Sequence, residues 1–167
     1  FWPDKVKSEG FYICLLQKKH GESKRIKPFN SPLKKVSLAI DGVDLSTQLV
    51  SQQNDKFYAY TPKEWNLLSE LKKHINIVKS GLMLGEYKGK DFFPSQDLSH
   101  SSLVQNYPHQ HELNEEEAQK YLRGEALSLK LEKAIYLLLY KGLPLSFAKS
   151  NGQRINNAYP KHLRMRG

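Results

Sequence analysis

The apolar positions of the chain fall into short runs whose spacing changes along its length. Phe11-Tyr-Ile-Cys-Leu-Leu16 is a continuous apolar run between Gly10 and Lys18-Lys19-His20-Gly21, and its length and aromatic start predict a buried strand. Residues 20–35 carry Gly21, Pro28 and Pro32 among polar and basic residues and read as a linker. Val36–Ile40 and Lys56–Tyr60 are expected to be strands. Thr61-Pro62 supplies an N-cap and a proline at the first helical position, opening a helix with Trp65, Leu68 and Leu71 on one face. Ile75–Val78 and Leu82–Tyr87 return to strand, Phe92-Phe93-Pro94-Ser95 closes the region, and residues 96–103 are expected to form a short helix before a connector around Pro108.

A second unit begins near residue 106. Asn114 can cap a helix, Glu117 stands three residues on, and Leu113 can staple against Ala118. Glu115, Glu116 and Glu117 complement the helix dipole, Ala118, Tyr121 and Leu122 form the buried face, and Gly124 supplies the stop. Ala134–Tyr140 and Leu143–Ala148 flank Lys141-Gly142, a hairpin signal; Ser150-Asn-Gly152 turns again, and Ile155–Tyr159 predicts a last short strand. A short helix feeding hairpins fits a small curled sheet or barrel, so the fold class expected is α+β with two small mixed subdomains.

With 167 residues, 39% hydrophobic, and 7 Phe, 9 Tyr and 2 Trp, the chain can build one ordinary core or two small ones. No apolar run approaches the roughly 20 residues that span a bilayer. Cys14 is the single cysteine, so no internal disulfide is possible, and a reducing, cytoplasmic location is expected. Charge changes the picture most. Twenty-six Lys and Arg oppose 17 Asp and Glu, a net +9. The cations are concentrated. Residues 18–35 hold Glu22 as their only acid, and everything after Glu132 holds Lys133, Lys141, Lys149, Arg154, Lys161, Arg164 and Arg166 with no acid. Mixed with Tyr136, Tyr140, Phe147 and Tyr159, that tail favours a polyanionic partner, and without a long basic amphipathic helix it favours nucleic acid over membrane.

No catalytic constellation accompanies the charge. Ser146/Lys149, Ser31/Lys34 and Ser69/Lys72 share the Ser-x-x-Lys spacing, but the first lies in an expected strand, which cannot put both side chains on one face. His100, His109 and His111 have no cysteine or paired carboxylate near them in sequence and read as loop histidines. No Gly-rich phosphate cradle occurs, and Cys14 reads as a buried, inert thiol.

Several words in the sequence are specific. Phe1-Trp-Pro-Asp-Lys-Val-Lys-Ser-Glu-Gly-Phe-Tyr-Ile-Cys-Leu-Leu16 resembles the closing stretch of the catalytic domain in the Sun/RsmF family of RNA cytosine-5 methyltransferases. Gly81-Leu-Met-Leu-Gly-Glu-Tyr-Lys-Gly89 with Phe93-Pro94-Ser95 is similar to the segment closing that family's first C-terminal domain. Glu116–Gly124, Lys141–Lys149 and Asn151–Arg164 resemble its terminal PUA-like RNA-binding domain. Family members often have Gly-Trp where this chain has Leu145-Ser146-Phe147, and Asn-His-Tyr-Pro where it has Asn157-Ala158-Tyr159-Pro160.

The resemblance implies an order of parts: 1–19 the final strand region of a truncated methyltransferase domain, 20–35 the basic linker, 36–105 a mixed α/β domain, and 106–167 a PUA-like β-barrel. The family's two catalytic cysteine motifs are missing, so the chain is expected to be a C-terminal part without catalytic residues, metal or cofactor, while the full-length protein would use S-adenosylmethionine. It would position small-subunit ribosomal RNA, acting as a monomer. Lys141, Lys149, Arg154, Lys161 and Arg164 are the expected phosphate ligands, Asn151 and Asn157 the base-edge or ribose contacts, and Tyr159 a stacking face. The alternatives are a protein-interaction module whose positive charge serves solubility, and an independent enzyme, which the lack of a nucleophile–base pair disfavours.

Overall fold

The computed structural model describes residues 34–165. The expected strand at 11–16, Cys14 and most of the basic linker lie outside them. The described residues form two four-stranded sheets. The first contains β1 (Leu49–Gln53), β2 (Lys56–Tyr60), β3 (Leu82–Lys88) and β4 (Asp91–Pro94), all antiparallel in sequence order. The second contains β5 (Gln110–Glu112), β6 (Ile135–Tyr140), β7 (Leu143–Ser150) and β8 (Ile155–Asn156), antiparallel except that β5 runs parallel to β6. A bridge from Leu127 to Ile155 continues the second sheet past β8 and curls it into a half-barrel. Three α-helices punctuate the strands: α1 (Pro62–Leu71), α2 (Gln96–Ser99) and α3 (Glu115–Arg123). The α+β class and the PUA-like character of the second sheet stand as expected.

Alternation along the strands explains how the sheets stack. In β2, Phe57 and Ala59 face the core shared with the second sheet, while Tyr60 on the other face meets Trp65 and Leu68 of α1. In β6, Leu137 faces that shared core beside Phe147 of β7, whereas Tyr136 and Leu138 face α3 through Ala118 and Tyr121. The layers therefore run α1, first sheet, second sheet, α3. A sheet covered on both faces needs apolar residues at successive positions, which is why β6 reads as the unbroken run Ile-Tyr-Leu-Leu-Leu-Tyr.

Both expected helix starts are present with complete capping boxes, Thr61 with Glu64 and Asn114 with Glu117. Gly124 ends α3 at φ 98°, a backbone conformation that side-chain-bearing residues avoid. The Lys141-Gly142 hairpin also forms.

Four expectations are corrected. Val36–Ile40 is extended but forms no ladder strand: Val36 N–H donates to Val50 O at 2.9 Å, and Val36, Leu38 and Ile40 pack on the shared core without continuing the pairing. Ile75–Val78 is an irregular loop that pairs with no strand among the described residues: Ile77 packs against Tyr60, Trp65 and Leu68, and Val78 is 94% exposed. The helix expected over 96–103 stops at Ser99, where turns begin. The strand expected over 155–159 ends at Asn156, because the next side chain is drawn into hydrogen bonds with the end of α3. Strands β4 and β5 had no sequence expectation; each is short and borrows its register from a neighbour.

Candidate nucleic-acid interface

A cleft of about 640 Å³ opens where the two sheets meet. One wall comes from β3, β4 and α2, with Glu86, Lys88, Phe93 and Gln96; the other comes from β7, β8 and the chain after it, with Lys149, Asn156, Asn157 and Pro160. The walls are tied together. The Gln96 side-chain amide donates to Leu145 O at 2.6 Å, and Lys149 Nζ meets Asp91 Oδ2 at 2.7 Å. Ser95 caps α2 by accepting from Leu98 N–H, and its hydroxyl donates to the Met83 carbonyl, which fixes where the helix meets β3.

The eight residues expected to bind RNA fall at four places in the fold. Lys141 sits at the hairpin tip with its ammonium 5.1 Å from the Tyr140 ring centroid. Arg154 closes the turn after β7, where Asn151 Oδ1 accepts from the N–H groups of Gln153 and Arg154. The eight residues of β7 separate these two sites, about 25 Å of strand, so the fold does not bring Lys141 and Arg154 together.

Lys149 lies on the cleft wall, and Lys161 follows the cleft-lining Pro160. The exposed side chains of Lys141, Arg154 and Lys161 make no ion pair among the described residues.

Asn157, Tyr159 and Arg164 form the fourth group, which closes the end of α3. Asn157 Nδ2 donates to Tyr121 O at 2.7 Å and Glu125 O at 2.9 Å, and its Oδ1 accepts from Tyr159 N–H and from the Arg164 guanidinium. All four capacities of the amide are used within the protein. Arg164 also donates to Tyr159 O at 3.2 Å and lies across Gly124. Tyr159 packs edge-on against Tyr121, whose burial raises its hydroxyl pKa.

Several cleft residues had no sequence expectation as contacts: Lys79, Lys88, Phe93, Gln96 and Asn156. Phe93 carried a usable signal. Two consecutive aromatics in a strand must face opposite sides, so Phe92-Phe93 cannot both enter one core.

The other candidate chemistry is dispersed or occupied. Ser146 is buried, accepting from the Tyr121 hydroxyl and donating to Phe147 O, while Lys149 of the same Ser-x-x-Lys spacing is turned to the cleft. His100 meets Gln96 at 2.8 Å, and the His109 ring packs at 5.3 Å from that of Tyr136. No group of three or more metal-ligating side chains occurs among the described residues. No helix among them is long and apolar enough to cross a membrane.

Comparison with known proteins supplies the context for this geometry. Residues 108–165 match the family model described as the methyltransferase RsmF PUA domain. Over 97% of its length the chain is similar to proteins named ribosomal RNA small subunit methyltransferase F. That of Shewanella oneidensis is 27% identical, with 37% of its length covered. Those of Salmonella typhi and Erwinia tasmaniensis are 23% and 27% identical, with 36% and 37% covered. The chain thus spans a little over a third of the length of the curated relatives it matches.

Proposed function

We propose that this chain, a C-terminal region of the Sun/RsmF family, is the RNA-binding part of a small-subunit ribosomal RNA cytosine-5 methyltransferase. The match of residues 108–165 to the RsmF PUA domain carries the reading. The acid-free stretch after Glu132 supports it on independent grounds. Its role is to hold ribosomal RNA while a catalytic domain, with S-adenosylmethionine as methyl donor, works on an exposed base. Base-directed chemistry needs the target out of its stack, and a cationic appendage that grips the backbone holds the substrate while that happens. The reading takes 36–105 and 106–167 as two parts of the appendage and places the protein in the cytoplasm as a monomer.

Labour divides among the expected residues. Lys141, Arg154 and Lys161 are the direct phosphate contacts, because their side chains are exposed and make no ion pair among the described residues. Lys149 contributes from the cleft wall. Asn151 shapes the turn that presents Arg154, and Asn157, Tyr159 and Arg164 brace the surface from which Lys161 projects.

Titrating a ribosomal RNA fragment at several salt concentrations tests this. The logarithm of the affinity is expected to fall with the logarithm of salt by about 0.7 to 0.9 per phosphate contact. The double reversal Arg154→Glu, Lys161→Glu should reduce the slope by about 1.5. A flat salt response overturns the reading. Partner capture that survives the reversal would instead support the protein-interaction module.

A further inference from the structure

Phe93 is the aromatic ring of β4 that the core does not use. Phe92 turns into a cluster with Phe57 and Tyr87, at centroid distances of 6.0 and 5.3 Å. Its neighbour faces the other way, into the cleft between the sheets. There the ring meets two cations from different sheets: Lys88 Nζ from β3 lies 5.3 Å from its centroid, and Lys149 Nζ from β7 lies 5.2 Å from it. The two ammonium groups are therefore no more than about 10.5 Å apart. A partly exposed aromatic flanked by lysines, this ring belongs to none of the hydrophobic clusters of the fold. It is the combination that single-stranded nucleic-acid sites use, a stacking face beside backbone-tracking charge.

Each cation of the cleft has a carboxylate that a phosphate could replace. Lys79 meets Asp97 at 3.0 Å, Lys88 meets Glu86 at 2.9 Å, and Lys149 meets Asp91 at 2.7 Å. The lysine side chains are 71%, 62% and 44% exposed, and ion pairs so open to water contribute little net stability. The pairs keep the lysines extended toward the cleft without binding them tightly. One amide is also left over. Gln96 is engaged by Leu145 and His100, and Asn157 is saturated, but the Asn156 side chain lines the cleft without a hydrogen bond to any described residue.

We propose that this cleft seats one unpaired RNA nucleotide, its base against Phe93 and its edge read by Asn156. The flanking phosphates are taken by Lys88 and Lys149 in exchange for Glu86 and Asp91. A volume of about 640 Å³ suits a small-molecule-sized ligand and is too small for a duplex, so the ligand is a base splayed from a loop or single strand. The incoming base displaces one ammonium from the ring face and leaves it beside the adjoining phosphate. The inference rests on the RNA-binding reading above and adds to it the class of RNA, unpaired, and the place where it is read.

The 167-residue chain is to be compared with Phe93→Leu, which keeps apolar bulk and removes the π face, and with Lys149→Gln. The probes are a labelled unstructured pyrimidine-rich RNA and a duplex of the same length, followed by fluorescence anisotropy. Phe93→Leu should weaken single-strand binding about 5- to 150-fold and leave duplex binding within about twofold. Lys149→Gln should lower the single-strand salt slope by about 0.7. Phe93→Trp gives an independent readout, quenching of its indole by unpaired RNA at the midpoint found by anisotropy, and decides the matter if Phe93→Leu does not fold. Equal losses on both RNAs, an unchanged salt slope, or no quenching overturns the cleft proposal and leaves the wider reading standing. Failure of the unmodified chain to bind either RNA at low salt overturns both.

Discussion

Asn157 shows why a residue type alone does not reveal a contact. As an amide in a basic tail it reads as a base reader, yet all of its hydrogen-bonding capacity is spent joining the end of α3 to the chain after β8. Asn157→Ala should destabilise the protein by about 1–3 kcal/mol in urea unfolding, since two carbonyls and a backbone N–H lose their partner together. Tyr107 gives a second residue-scale expectation. Burial, with Asp41 nearby, pushes its hydroxyl up to about 12, and its ring packs 4.9 Å from that of Phe147. Because the folded pKa lies above the unfolded value near 10, the folded state retains the proton that the unfolded chain releases. Stability from this group is complete below pH 10 and is lost as pH rises toward 12. Thermal melts across that interval should show a decline that Tyr107→Phe reduces.

At the scale of elements, what the sequence discloses depends on whether the signal is local. Thr61-Pro62 and Asn114 with Glu117 announce helices because a cap is built from residues three positions apart. The hairpin turn is equally self-contained. Val36–Ile40 and Ile75–Val78 have the apolar content of strands but pair no further than the bridge of Lys35 to Ser51 on the edge of β1, an outcome that resides in the rest of the fold. The candidate site divides the same way. The cations of the tail are countable in sequence, whereas the cleft is made by residues from both sheets, such as Lys88 and Lys149, that only topology brings to one ring. The β3–β4 pair is legible in part through Gly85. A Cβ there would stand 2.3 Å from Phe93 O and 2.7 Å from the Phe92 ring, so the two strands approach this closely only with glycine. Gly85→Ala is expected to cost about 1–3 kcal/mol, measured by urea unfolding, and to alter the ring packing at Phe92.

Across the whole molecule, the shared core decides how the parts behave. Val50, Phe57, Leu84 and Leu98 from the first half pack with Leu137 and Phe147 from the second. Phe147→Ala should therefore destabilise both halves at once, by about 3–5 kcal/mol. In a Trp2→Phe background, Trp65 emission reports the first sheet and α1, and far-UV circular dichroism reports the entire fold; the two curves should shift together and stay superimposed. Separate transitions would show that the halves unfold independently.

The common core also sets what evolution can rearrange. A gene fusion that inherits only residues 108–165 would receive Leu137 and Phe147 as a raw apolar face, prone to self-association, whereas one that inherits both sheets receives a finished surface. The two sheets should thus travel between proteins as a single heritable block.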